Sequence, residues 1–241
     1  MSKIKICGLF REDDIEAANE AGPDYIGFVF ASSKRRVSAR QAAELRNRLR
    51  DGITPVGVFV NTPVGHPTQF PPEEIAALYR DGVIGIAQLH GGEDGAYIAA
   101  LKDCTAAEKR GAVPVIKVIK SNELEMMSAG SAALNHLSDG ADYLLFDSGG
   151  AAGNMNGGTG KSFDWNIIAN FGMVNARGVQ IAIPWFLAGG IDLHNIEQAL
   201  ALEPFAIDVS SGAETNGVKD RDKMIRLTAM VRNYGKGNKH G

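Results

Sequence analysis

A thiol and a carboxylate close two short apolar runs in this sequence. Cys7 ends Ile4-Lys5-Ile6, and Asp147 ends Tyr143-Leu144-Leu145-Phe146. Residues of these types, brought together, can take a proton from one atom and give one to another. Each also has an ordinary structural reading. A free cysteine is usually a small buried hydrophobe, and a carboxylate that enters a glycine-rich loop can simply cap it. A thiol titrates near pKa ~8.5, so a base role for Cys7 requires a nearby positive charge or helix terminus. If loop closure desolvates Asp147, its pKa rises and it can hold a proton for donation near neutral pH. Cys104 lies in a helical stretch or its loop and is read as inert.

Three glycine turns suggest what the pair would act on. They are Gly157-Gly158-Thr159-Gly160, Ala188-Gly189-Gly190-Ile191 and Ser210-Ser211-Gly212-Ala213. Bare backbone N–H groups can approach an anion closely, and helix N-termini add favourable partial charge. Glycine also serves turns for purely steric reasons, but three such turns after consecutive strands favour a phosphate site. Arg35 offers a planar fork suited to a carboxylate, whereas Lys34 and Arg36 are equally readable as solvated. Gln88 and His90 also fall at a strand end, as do Asn61 and Lys117 or Lys120. His90 could contact a ligand or be a hydrogen-bonded structural histidine. His and carboxylate side chains do not converge as a ligand set, so no metal is expected.

These residues need strands to carry them. Candidate strands are Ile4–Cys7, Tyr25–Phe30, Pro55–Val60, Ile84–Leu89, Val113–Val118, Tyr143–Asp147, Ile183–Ala188 and Ala206–Val209. They are short, rich in β-branched residues and mostly apolar on both faces, as in a parallel sheet covered on each side. The starts at Pro55, Ile84, Val113 and Tyr143 recur at about one βα unit. Helical patterns lie between the strands: Asn122 precedes Leu124, Met127, Leu134 and Leu137, and Asp192 opens a segment with Ile196, Ala199 and Leu200. Met224, Leu227, Val231 and Tyr234 form a closing apolar stripe. The pattern predicts an α/β fold, a single-domain (β/α)8 TIM barrel over residues 1–234, with 235–241 as a flexible tail. A doubly wound sheet is the rival, but Cys7-Gly8-Leu9-Phe10-Arg11 is not a dinucleotide fingerprint. In a barrel the functional groups project from the C-terminal strand ends, where those named above fall. Thr62–Pro72, with four of the nine prolines, and Ser148–Gly160, with six glycines, read as enlarged surface loops.

Composition excludes several classes. The 241 residues carry a formal net charge of −3, with 44% hydrophobic and 22% charged residues, which is incompatible with global disorder and gives no nucleic-acid footprint. The basic stretches Lys34–Arg50 and Lys219–Lys239 read as helices with a solvated charged face. No apolar run approaches the roughly 18 residues of a membrane span, and Met1–Gly8 does not resemble a signal peptide. Two cysteines make no disulfide framework, and a reducing cytoplasm fits best.

Several runs together resemble phosphoribosylanthranilate isomerase. They are Lys5-Ile6-Cys7-Gly8, Gly27-Phe28-Val29-Phe30 with Ser33-Lys34-Arg35, Gly57-Val58-Phe59-Val60-Asn61 and Gln88-Leu89-His90-Gly91. Gly157-Gly158-Thr159-Gly160-Lys161, Leu187-Ala188-Gly189-Gly190 and Asp208-Val209-Ser210-Ser211-Gly212 complete the set in the family's order. The resemblance implies an eightfold barrel that rearranges N-(5-phosphoribosyl)anthranilate to the aminodeoxyribulose phosphate in tryptophan biosynthesis. It implies Cys7 as general base, Asp147 as general acid and Arg35 as the holder of the anthranilate carboxylate. It further implies that the glycine turns (Gly158, Gly160, Gly189, Gly190 and Gly212) hold the phosphate with Ser210 and Ser211, and that Asp208 lines the site. No cofactor is expected, because no net electrons leave the substrate. The only partner expected is the phosphorylated aminosugar, bound by a monomer or homodimer. The chain departs from the family in its Pro-rich loop, in the stretch between Asp147 and Gly157, and in Arg36 where an aromatic residue is common. Rival readings are the histidine-pathway aminoaldose isomerase, a metal-dependent epimerase and a catalytically silent phosphate-binding barrel. The first would place carboxylates at both acid and base positions, the second lacks ligands, and the third would have no use for Cys7 with Asp147.

Overall fold

The computed structural model describes residues 1–61, 69–120, 139–147 and 183–234. The helix expected after Asn122, the loop Ser148–Gly160 with Gly158 and Gly160, and the tail 235–241 lie outside the described residues.

Eight parallel strands close into a barrel in chain order: β1 Lys3–Cys7, β2 Tyr25–Val29, β3 Thr54–Phe59, β4 Ile86–Leu89, β5 Val115–Lys120, β6 Tyr143–Asp147, β7 Trp185–Leu187 and β8 Ala206–Val209. β8 pairs with β1 to complete the ring, with Lys5 opposite Asp208. Described helices are α1 Glu12–Ala21, α2 Ala39–Arg48, α3 Pro72–Arg80, α4 Gly95–Thr105, α5 Ile196–Leu200 and α6 Arg221–Asn233. A hairpin of β9 Glu214–Thr215 and β10 Val218–Lys219 stands on the barrel between β8 and α6.

Side chains alternate across each strand. Ile4, Ile6, Ile26, Phe28, Ile207 and Val209 face outward into the layer beneath the helices. Val56, Ile86, Ile116, Leu145, Phe186 and Ala206 fill the interior. Phe186 anchors the interior, its ring 5.6 Å from Tyr25, 5.7 Å from Tyr143 and 5.7 Å from Phe205. This apolar filling leaves the inward positions at the C-terminal strand ends to polar groups.

Helix ends are fixed by local chemistry. Ser38, Asp94 and Asp220 each accept a backbone N–H from the first turn of α2, α4 and α6. In α6 the stripe Met224, Leu227 and Val231 is buried, and Tyr234 terminates the helix. Two expectations shift. Pro71 and Pro72 are the cap and first residue of α3, not loop, since proline suits a position where no N–H is needed. α5 starts at Ile196 behind Asn195, whose Oδ1 takes the backbone N–H of Asp192 at 2.8 Å.

Candidate active site

Lys5 and Cys7 lie two residues apart on β1 and therefore project into the barrel together. Lys5 is fully buried, and its ammonium meets both carboxylate oxygens of Asp208 on β8 at 3.0 and 2.9 Å. Its charge also acts on the Cys7 thiol. Burial opposes charge on Lys5, but the attraction of Asp208 and Cys7 outweighs it and holds the ammonium above its ordinary pKa. Burial pushes the Cys7 thiol up, Asp208 adds to the rise, and Lys5 and Lys219 oppose it. The thiol rests against Gly27 on β2, where an added Cβ would lie 2.6 Å from Sγ.

Beyond Cys7 the chain turns through Gly8 at φ +87°, and the Arg35 side chain lies across that turn. A Cβ on Gly8 would meet Arg35 Cδ at 2.6 Å. Arg35 Nη2 donates to Glu214 Oε2 at 2.7 Å, and the other oxygen of Glu214 accepts from Lys219 Nζ at 2.6 Å. Lys219 Nζ also donates to the Ser210 carbonyl at 2.9 Å, and Ser210 Oγ donates to the Cys7 carbonyl at 3.3 Å. Burial pushes the Glu214 carboxyl up, but its bonds to Arg35 and Lys219 carry it below its ordinary range. Lys219 is thus a buried hairpin residue, not part of a solvated basic face.

Across the mouth, Gln88 Nε2 lies 3.4 Å from His90 Nδ1, and His90 Nε2 lies 3.3 Å from Asp147 Oδ2. Gln88 Oε1 is buried without a hydrogen bond among the described residues. Asn61 and Lys117 have other duties. Asn61 exchanges two hydrogen bonds with the backbone of Phe70, at 3.2 and 2.8 Å. Lys117 shares the outward face of β5 with Val115 and Ile119, and its ammonium meets the Gly91 carbonyl at 2.8 Å and Glu93 at 3.5 Å.

The turns after β7 and β8 touch. Gly189 and Gly190 have φ of +96° and +65°, conformations that favour glycine. A Cβ on Gly212 would fall 2.0 Å from the Ile191 carbonyl oxygen. Ser211 and Gly212 open a single 3-10 turn. Close backbone approach there sets the glycine turns of the two loops side by side. Among the described residues, no group of three or more His, Cys, Asp and Glu is placed to hold a metal ion.

Sequence reasoning missed Lys5, Glu214 and Lys219. Period-two alternation puts Lys5 on the face of Cys7. Asn216 and Gly217, with φ of +53° and +79°, form the Asn-Gly turn of a tight hairpin, which sets Glu214 directly opposite Lys219.

A closed parallel barrel with ionisable groups and glycine turns gathered at its C-terminal strand ends defines a (β/α)8-barrel enzyme. Residues 4–229 match the family model of N-(5'phosphoribosyl)anthranilate (PRA) isomerase. The chain belongs to this family. It is 40% identical over 233 residues to N-(5'-phosphoribosyl)anthranilate isomerase of Endomicrobium trichonymphae, covering 96% of this chain and 99% of that one. It is 39% identical over 234 residues to the protein of that name from Caldanaerobacter subterraneus subsp. tengcongensis, covering 96% and 98%. Among solved structures, phosphoribosyl anthranilate isomerase of Thermotoga maritima superposes with a TM-score of 0.70 at 28% identity, covering 98% of this chain and all of that one.

Proposed function

We propose that Cys7 and Asp147 are the base and acid of the isomerisation that family membership assigns to this chain. The chain is an isomerase acting on N-(5'-phosphoribosyl)anthranilate. It carries out an Amadori rearrangement to 1-(2-carboxyphenylamino)-1-deoxyribulose 5-phosphate in tryptophan biosynthesis. The observation that carries the assignment is the inward thiol of Cys7 beside the buried ammonium of Lys5, on the barrel face that also bears Asp147.

Asp147 gives its proton to the furanose ring oxygen as the nitrogen lone pair forms the Schiff base and the C1–O bond breaks. His90, 3.3 Å from the carboxylate, orients it. Cys7 then removes the C2 proton, and the electrons of that bond flow to the iminium nitrogen, giving an enolamine. Protonation at C1 and loss of the enol proton produce the ketone. Electrons are conserved within the substrate, so the sequence of steps calls for no redox cofactor. General acid–base catalysis contributes about 10²–10⁴-fold, and positioning supplies much of the rest. Arg35 takes the anthranilate carboxylate, and Gln88, His90 and Asp208 line the sugar. The phosphate binds at Gly158, Gly160, Gly189, Gly190, Gly212, Ser210 and Ser211.

A related structure at 26% identity contains reduced 1-(o-carboxyphenylamino)-1-deoxyribulose 5-phosphate, which supports a ligand of this shape here. A Thermotoga maritima relative at 27% identity is described as dimeric and was converted to monomers, which supports a monomer or homodimer. The free thiols Cys7 and Cys104 suit a reducing compartment, and we assign the enzyme to the cytoplasm. Substrate carrying deuterium at C2 tests the base. Wild type should release that deuterium as substrate fluorescence disappears, and Cys7→Ala should do neither while still binding inorganic phosphate. Release by Cys7→Ala at the wild-type rate would overturn the assignment.

A further inference from the structure

The hairpin that follows β8 carries two buried ionised groups that the acid–base steps do not use. Glu214 and Lys219 face each other across β9 and β10, and both side chains are almost wholly buried. Taking two charges out of water is costly, and an apolar pair would satisfy the hairpin as well. What distinguishes this pair is its third member. Arg35 Nη2 donates to the Glu214 oxygen that Lys219 does not use, so Glu214 fixes the guanidinium. A lone carboxylate there would also cancel the positive charge of Arg35 and leave a neutral pair with little attraction for an anion. Lys219 prevents that: the triad of two cations and one anion keeps one net positive charge. Arg35 Nε is meanwhile buried without a partner among the described residues, a donor left for an incoming acceptor.

We propose that Lys219, acting through Glu214, is a positioning residue that keeps Arg35 oriented and effectively cationic for the carboxylate of the substrate. The inference rests on the reading of Arg35 as the group that binds that carboxylate. Lys219 makes its contribution from a second layer, since its own donors go to Glu214 and the Ser210 carbonyl. Aminosugar phosphates whose ring lacks a carboxylate gain nothing from the charge of the triad, so it determines specificity for the acidic ring.

The test compares N-(5'-phosphoribosyl)anthranilate with N-(5'-phosphoribosyl)aniline, which lacks the carboxylate, on the full chain. Lys219→Met should raise KM for the first by about tenfold more than for the second, equivalent to roughly 1.4 kcal/mol, beyond any loss common to both substrates that follows from its contacts with the Ser210 carbonyl and the charge it presents to Cys7. The double variant Glu214→Gln/Lys219→Met keeps an acceptor for Arg35, restores the net charge and removes both buried ions of the hairpin. Its KM for the carboxylated substrate should return to within about threefold of wild type. The double variant carries the test alone if the single one does not fold. Equal losses on both substrates, or a double variant impaired as badly as the single, overturn the proposal. Arg35→Met is the separate check: if it does not discriminate between the substrates, the reading of Arg35 falls. If it does discriminate while the Lys219 variants do not, only the proposal about Lys219 falls.

Discussion

At the scale of single residues, the chemistry turns on how one thiol is held. Burial raises the Cys7 pKa and Lys5 counteracts it, so kcat/KM should still be climbing at about pH 9, beyond the ordinary thiol range. A raised pKa leaves less thiolate at neutral pH but makes each thiolate a stronger base. Removing the ammonium should shift the balance further: Lys5→Met should move the ascending limb of the kcat/KM profile to higher pH by about one unit or more. A limb that stays in place would mean Lys5 is only structural. Gly27 gives an independent probe of geometry. Its added Cβ would lie 2.6 Å from Sγ and 3.1 Å from the Cα of Cys7, so Gly27→Ala should displace the thiol. Misplacement by about 1 Å costs on the order of 10²-fold in rate, and kcat should fall by about that much while the phosphate still binds.

At the scale of elements, the contact between the β7 and β8 turns is the sensitive point. Gly212→Ala would drive a Cβ into the Ile191 carbonyl at 2.0 Å, forcing the loops apart. Affinity for inorganic phosphate, measured by calorimetry, should drop more than affinity for anthranilate. The elements also show how far the sequence could be read. Tyr143–Asp147 and Ala206–Val209 coincide with their apolar runs. The runs from Val113 and Ile183 start late, at Val115 and Trp185, each just after a proline (Pro114 and Pro184), although β3 takes Pro55 into its ladder. Apolar runs were legible because burial on both faces of a parallel sheet writes them directly into the sequence. Cys7, Arg35 and Asp208 were singled out by position, residue type and family likeness, and the barrel brings Cys7 and Asp208 onto neighbouring strands. The Lys5–Asp208 pair was not, since β1 and β8 meet only when the barrel closes. Glu214 and Lys219 lay under an Asn-Gly hairpin signal that was overshadowed by the basic run beginning at Lys219.

For the whole molecule, an apolar floor supports a charged mouth. Phe186 contacts three other rings inside the barrel, and Phe186→Ala should destabilise the fold by about 3–5 kcal/mol in chemical denaturation. The Glu214 carboxyl is held below its ordinary pKa of 4.5. Its contribution to stability is therefore present above that pH and is lost as pH falls through the folded-state value. The stability gap between wild type and Glu214→Gln should be widest near neutrality and shrink in acid below about pH 4. The measurement that tests the account most directly follows loss of substrate fluorescence, with substrate formed in place from anthranilate and phosphoribosyl pyrophosphate by a separate transferase. Wild type, Cys7→Ser and Asp147→Asn are run side by side. Rapid loss with wild type and near silence in both variants, each still folded and binding phosphate, is the predicted result. Wild-type turnover in either variant would contradict the acid–base pair.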